Sequence, residues 1–244
     1  MHPVRICCML RFVFISLALT LFSFAKEKAG HLFILSGQSN MTGKLRMGFE
    51  ETVTETLGKK NVSIVHCSRS GRGIRFWVSD YKLPGTHPMV GLSKNEANGE
   101  EFTRLTKAVK NACDAPGFKT VHLIWMQGES DANRDLSVAY EASFKALITG
   151  LKKELGVEEI RFVIGRINDV GLYGDEKRKA AWIRMREVQE KLGNDDPLGA
   201  WINTDDFIAE DHKHAKGNIH YLGEMPVKLG RRFGEAALKQ LGAN

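Results

Sequence analysis

Cysteine is nearly absent: the 244-residue chain has four, and Cys7 and Cys8 stand among its first ten residues. A disulfide framework is thereby excluded as the organising principle of the fold. Cys67 and Cys113 remain, too far apart in sequence to argue for a bridge, and are expected as two buried free thiols. No segment repeats and no stretch reads as a linker, which sets aside solenoid and multi-part architectures. A basic stripe with interleaved aromatics is also missing. The net charge of +6 comes from positives scattered among acids, as in LKKELG and EKRKAAWIRMREVQEK. That is the pattern of solvated helix faces rather than of a nucleic-acid surface, so no nucleic-acid partner is expected.

Long apolar runs are lacking except at the start. Arg5 and Arg11 precede and open the run FVFISLALTLFSFA, and the small residues Ser23 and Ala25 stand where a signal peptidase would cut, just before the charged KEK. Residues 1–25 are expected to be a secretory signal peptide, with an uncleaved membrane anchor as the alternative. Cleavage removes Arg5 and Arg11 and takes the charge from +6 to +4. The mature domain, residues 26–244, is then expected to be secreted or periplasmic and free of the membrane. Nothing in the sequence points to an oligomeric state.

What the rest of the chain does have is an alternation of two patterns. HLFILS (31–36), VSIVHC (62–67), VHLIWM (121–126), IRFVIGRI (160–167) and GAWINT (199–204) are short, β-rich and apolar without a clean two-residue period. Such runs fit strands buried on both faces of a parallel sheet. Between and after them lie helical stripes: Phe102, Leu105, Val109 and Ala112; Phe144, Leu147, Ile148, Leu151 and Leu155, stopped by Gly156; Ala181, Met185, Val188 and Leu192, stopped by Gly193; and Met225, Leu229, Phe233 and Ala236 or Ala237, with Pro226 in the first turn. The expected fold is α/β, a three-layer α/β/α sandwich around a five-stranded parallel sheet.

Ligands of such sheets bind beyond the carboxyl ends of the strands. Three loops there carry unusual chemistry. In FILSGQSNMTG, Ser39 follows the first strand directly between Gln38 and Asn40; it is either a turn-capping hydroxyl or a nucleophile. In WMQGESDA, Gln127 has an amide able to donate to an oxyanion and Glu129 a carboxylate able to orient an imidazole. In DHKHAKGNIHYLGE, Asp211, His212, His214 and His220 gather before the last helix. A histidine there suits a general base, or the group suits a metal, although the spacing matches no helical ligand pair.

Taken together, ILSGQSNMTG, SGRGIRFWVSDY, WMQGESDA and NIHYLGEMPVKLGRRFGEA resemble, in order, the sequence blocks of the SGNH hydrolase superfamily, in its branch of sialate O-acetylesterase and acetylxylan esterase domains, like carbohydrate esterase family 6. The resemblance covers essentially all of the mature chain and implies a flavodoxin-like fold. It also implies a serine esterase that uses no cofactor or metal and removes acetyl groups from carbohydrate. Ser39 matches the nucleophile and His220 the general base. The backbone N–H groups of Ser39 and Gly71 and the side chain of Gln127 match the oxyanion hole, and Glu129 matches an acid that reaches the histidine in some relatives.

One departure stands out. The family writes an acid three residues before its histidine, where this chain has Gly217, so the orienting acid is expected to be Glu129, with Asp211 as the alternative. Substrate contacts are expected from Gln38, Asn40, Arg72 and Trp77, with Trp77 and Tyr81 equally readable as core. Arg75 and Lys44 fall near the same loops. Two other readings stay open at this point: a carbohydrate-binding protein that kept the fold without catalysis, and a metal-dependent hydrolase using His212, His214 and His220.

Overall fold

The computed structural model describes residues 29–207 and 218–243. The expected signal peptide, Asp211, His212, His214 and Gly217 lie outside the described residues. Five strands, β1 (Ala29–Gly37), β2 (Val62–Ser68), β3 (Phe118–Met126), β4 (Arg161–Gly165) and β5 (Gly199–Ile202), form one sheet in the order β2-β1-β3-β4-β5. Every pairing is parallel.

Successive side chains of a strand point to opposite faces, so a strand apolar throughout needs cover on both. Leu32, Ile34, Leu123, Trp125, Phe162 and Ile164 enter one core with helices α2 (Glu100–Ala112), α4 (Tyr140–Leu155) and α5 (Glu176–Asp195). Phe33, Leu35, Ile124, Met126 and Val163 enter the other with α1 (Gly43–Leu57) and α6 (Met225–Gln240). A single turn of helix, α3 (Glu129–Ala132), follows β3. The three-layer expectation is met. Among the described residues no helix is long and apolar enough to cross a membrane. Cys67 and Cys113 are both free, the first buried and the second half-buried.

Two details depart from the sequence reading. Helix α1 was not foreseen; it begins at Thr42, whose hydroxyl accepts the Leu45 N–H at 3.1 Å, and buries only Leu45, Gly48, Phe49 and Val53 among polar neighbours. Helix α5 does not stop at Gly193 but runs through it to Asp195. Gly193 is there for close approach, since a Cβ at this position would come within 2.7 Å of the Ala200 carbonyl carbon at the start of β5.

Chain reversal in strand order places the crevice between β1 and β3, where Gly37 lies opposite Met126. The Ser39 loop and the WMQGESDA loop leave the sheet there side by side. The third loop is brought to them by α6, which packs tightly on α1. A Cβ on Gly230 of α6 would fall 2.0 Å from the Leu45 carbonyl oxygen, and one on Gly48 of α1 would fall 2.1 Å from that of Val227.

Candidate active site

Ser39 and His220 meet across 181 residues of sequence: the His220 Nε2 lies 2.9 Å from the Ser39 Oγ. Ser39 is half-buried and His220 exposed, so the pair opens to solvent. A hydroxyl at hydrogen-bond distance from an imidazole nitrogen is the arrangement that lets the ring take the proton as the oxygen attacks. Neither the Ser39 N–H nor the Gly71 N–H has a hydrogen-bond acceptor among the described residues. The other ring nitrogen of His220 likewise has no partner among them.

Around this open pair lies a buried polar layer built on the loop after β3. Gly128, at φ +151°, makes the turn that only glycine adopts readily and lets the chain pass the Gln189 amide, which donates to the Gln127 carbonyl at 2.8 Å. Tyr140 donates to the same carbonyl at 2.9 Å. From this fixed point the side chains fan out to the other loops. Gln127 Nε2 donates to the Arg72 carbonyl at 3.2 Å, Ser130 Oγ to the Gly71 carbonyl at 3.3 Å, and Asp131 Oδ2 accepts the Ile74 N–H at 2.9 Å. The Gly71 loop is thus held at three points, Gly71, Arg72 and Ile74.

Toward the nucleophile, Gln38 Oε1 accepts the Ser130 N–H at 3.2 Å, and Glu129 Oε1 accepts from the Asn40 amide at 2.6 Å. Glu129 and Asp131 are both 0% exposed. Burial, the largest influence on each, pushes the Glu129 carboxyl up to about 7 and the Asp131 carboxyl up to about 6.

Residues 44–239 match the carbohydrate esterase family described as sialic acid-specific acetylesterase. The chain belongs to that family. No curated protein matches the esterase at a significant level. Its fold is similar to that of a protein of Arabidopsis thaliana, at 17% identity over 86% of this chain and 98% of that one, with a TM-score of 0.62. It is also similar to a carbohydrate acetylesterase of Xanthomonas citri, at 16% identity over 85% of this chain and 55% of that one, with a TM-score of 0.63. The acetylxylan esterase of Geobacillus stearothermophilus matches at 12% identity over 90% and 97% of the two chains, with a TM-score of 0.53.

Within the esterase several expected site residues are placed differently. Gln127 is 0% exposed, and its amide nitrogen is spent on Arg72, on Gln38 Oε1 at 3.2 Å and on Asp131 Oδ2 at 2.5 Å. In this arrangement the amide holds the Gly71 loop and the Gln38 and Asp131 side chains. Glu129 was expected to orient the imidazole, but its hydrogen-bond partner is Asn40. Gln38 and Asn40, expected at the substrate, are 2% and 3% exposed and turned inward.

Trp77 resolves to core. It is 1% exposed and meets Trp125 edge-on at 5.1 Å, because its short 3₁₀ turn (Ile74–Trp77) points all four side chains inward. Tyr81 is buried as well. Arg72 stays partly open, paired with Glu100 at 2.8 Å and lying over Phe76 at 4.2 Å. Arg75 is buried on Asn95 and Asn98, and Lys44 donates to the Gly223 carbonyl at 3.1 Å.

Asn168 was missed. It leaves β4 in the RIND stretch and donates to the Ile219 carbonyl at 3.0 Å, one residue before the base. An amide directly after a buried strand, on the sheet edge where the other loops converge, was the available signal.

Proposed function

We propose that this carbohydrate esterase is an exported serine enzyme that removes O-acetyl groups from sugars through an acyl-enzyme. Ser39 attacks the ester carbonyl while His220 takes its proton. The tetrahedral oxyanion is received by the N–H groups of Ser39 and Gly71, and collapse expels the sugar hydroxyl with the proton that His220 returns. Water, activated by the same imidazole, then releases acetate.

The observation that carries this reading is the 2.9 Å contact between His220 Nε2 and Ser39 Oγ at an open surface. The N–H groups of Ser39 and Gly71, without an acceptor among the described residues, support it. The substrate is proposed as an acetylated polysaccharide or sialic acid, from the family description and from the acetylesterase names of the Xanthomonas and Geobacillus proteins. Export rests on the amino-terminal pattern, residues 1–25, outside the described residues.

The test is acetate release from acetylated xylan, acetylated pectin and O-acetyl sialic acid by the mature protein and by Ser39→Ala. Release by the first and not the second is expected on at least one substrate. Equal release by both would overturn the esterase mechanism and favour a binding role.

A further inference from the structure

The catalytic base sits on an exposed loop, yet its backbone is gripped on both sides. Asn40, the residue after the nucleophile, donates from Nδ2 to the Ile219 carbonyl at 2.8 Å and accepts the Tyr221 N–H on Oδ1 at 3.4 Å. Ile219 and Tyr221 flank His220. A side-chain amide has two N–H donors and one carbonyl; the second donor of Asn40 goes to Glu129 Oε1 at 2.6 Å, so each group is used.

We propose that Asn40 and Glu129 are positioning residues for His220. Glu129 anchors the Asn40 amide, and that amide holds the peptide groups on either side of the base, so that neighbouring residues of one turn present the nucleophile and fix its partner. Glu129 acts through Asn40 and not on the imidazole. The proposal rests on the serine esterase reading for its catalytic consequence, but its geometric content stands apart from it.

Three features argue for the direct clamp. Glu129 is 0% and Asn40 3% exposed, so neither contributes to a substrate surface. The bonds span 179 and 181 residues, joining the first loop of the sheet to the segment before its last helix, and nothing local requires them. The Ile219 carbonyl also accepts from Asn168, whose Oδ1 accepts the Val170 N–H at 3.2 Å, so a second amide converges on the same peptide from another strand.

The test compares Asn40→Ala, Glu129→Ala, Glu129→Gln and the double alanine variant, with rates normalised to active sites titrated by a serine-directed reagent. A base displaced by about 1 Å loses on the order of a hundredfold in turnover, so Asn40→Ala and Glu129→Ala should each lower kcat by about 10- to 100-fold with KM little changed. The double variant should fall no further than Asn40→Ala, because the two residues act in series. Glu129→Gln keeps an acceptor oxygen and should recover most of the loss. Were Glu129 the acid that orients the imidazole, Glu129→Gln would cost about 10⁴-fold, and that result would overturn the proposal. Additive losses in the double variant would overturn it too.

A crystal structure of Asn40→Ala supplies a readout independent of turnover. His220 Nε2 should no longer lie within hydrogen-bond distance of Ser39 Oγ; an unchanged pair in the folded variant would sink the clamp whether or not the protein is an esterase. Failure of the esterase reading itself shows separately, as equal acetate release by wild type and Ser39→Ala.

Discussion

Each end of the sheet buries titratable groups, and the two ends put them to different use. At the amino end His31 Nδ1 meets Thr120 Oγ1 at 2.8 Å, and Thr120 Oγ1 meets His122 Nε2 at 2.9 Å. Burial, then the positive charges of Arg161 and His31, push the His122 imidazole down to about 3. At the carboxyl end burial raises Glu129 and Asp131 instead, so both ends favour neutral groups. Among the described residues, the carboxyl-end layer leads to a hydroxyl–imidazole pair whose ring is exposed, while His31 and Thr120 at the amino end are both half-buried. Buried polarity alone does not mark a site; buried polarity that spends its donors and acceptors on orienting exposed groups does.

The comparison breaks most sharply on activity. Ser39→Ala or His220→Ala should lower kcat by on the order of 10⁵-fold while leaving the urea midpoint within error of wild type. At the other end His122→Ala removes a ring that packs 4.8 Å from Phe33, and should cost about 2 kcal/mol in urea unfolding with activity per folded molecule unchanged.

Asp131→Ala falls between these. It leaves the buried Ile74 N–H without an acceptor, at about 1–3 kcal/mol, removes one of the three acceptors of the Gln127 amide, and loosens the Gly71 loop. A fall in kcat together with a lower midpoint is expected, whereas a change in stability alone would detach this carboxylate from the oxyanion loop. On α6, Gly230→Ala should cost about 3 kcal/mol by forcing that helix off α1. Loss of turnover should accompany it.

The subtlest contrast is with pH. A carboxyl whose folded value is raised stabilises the fold in full below its unfolded value, and that contribution is lost as pH rises through the folded value. Glu129, going from 4.5 to about 7, should therefore make wild type progressively less stable as pH rises from 4.5 to about 7, by on the order of 3 kcal/mol. Glu129→Gln should flatten that part of the curve. His122, with a lowered value, works in the opposite direction: its contribution is present above 6.5 and lost as pH falls toward about 3. Urea midpoints from pH 4 to 9 for wild type, Glu129→Gln and His122→Phe would separate the two ends.

Much of this architecture is legible in the chain. Strands buried on both faces lack a two-residue period, and HLFILS and VHLIWM show this plainly. Gly156 stops α4 with φ +65°, as its place after an apolar stripe implies, but Gly193 follows an equally good stripe and is buried inside α5 against β5. A glycine after a stripe looks the same whether it supplies a left-handed turn or room for a neighbour. Helix α1 was invisible because its few buried residues are diluted by Arg46, Glu50, Glu51 and Thr54.

In the candidate site, the meeting of Ser39 and His220 was readable because both are distinctive residue types beside specific neighbours. The contacts of Gln127, Glu129 and Asn40 were not. An amide or carboxylate beside an active site can face the substrate or the scaffold, and which it does depends on hydrogen bonds to residues 55 to 179 positions away.

The 181-residue separation of nucleophile and base also sets an order of assembly. A chain emerging from its amino end displays Ser39 with the first strand, but His220 appears only just before the last helix. Until α6 settles against α1, with Gly230 on the Leu45 carbonyl, the serine has no partner. A chain cut before Ile219 would therefore keep Ser39 and all five strands while losing His220, and a chain cut only before α6 would keep both residues but lose the helix packing that brings the His220 segment to the sheet.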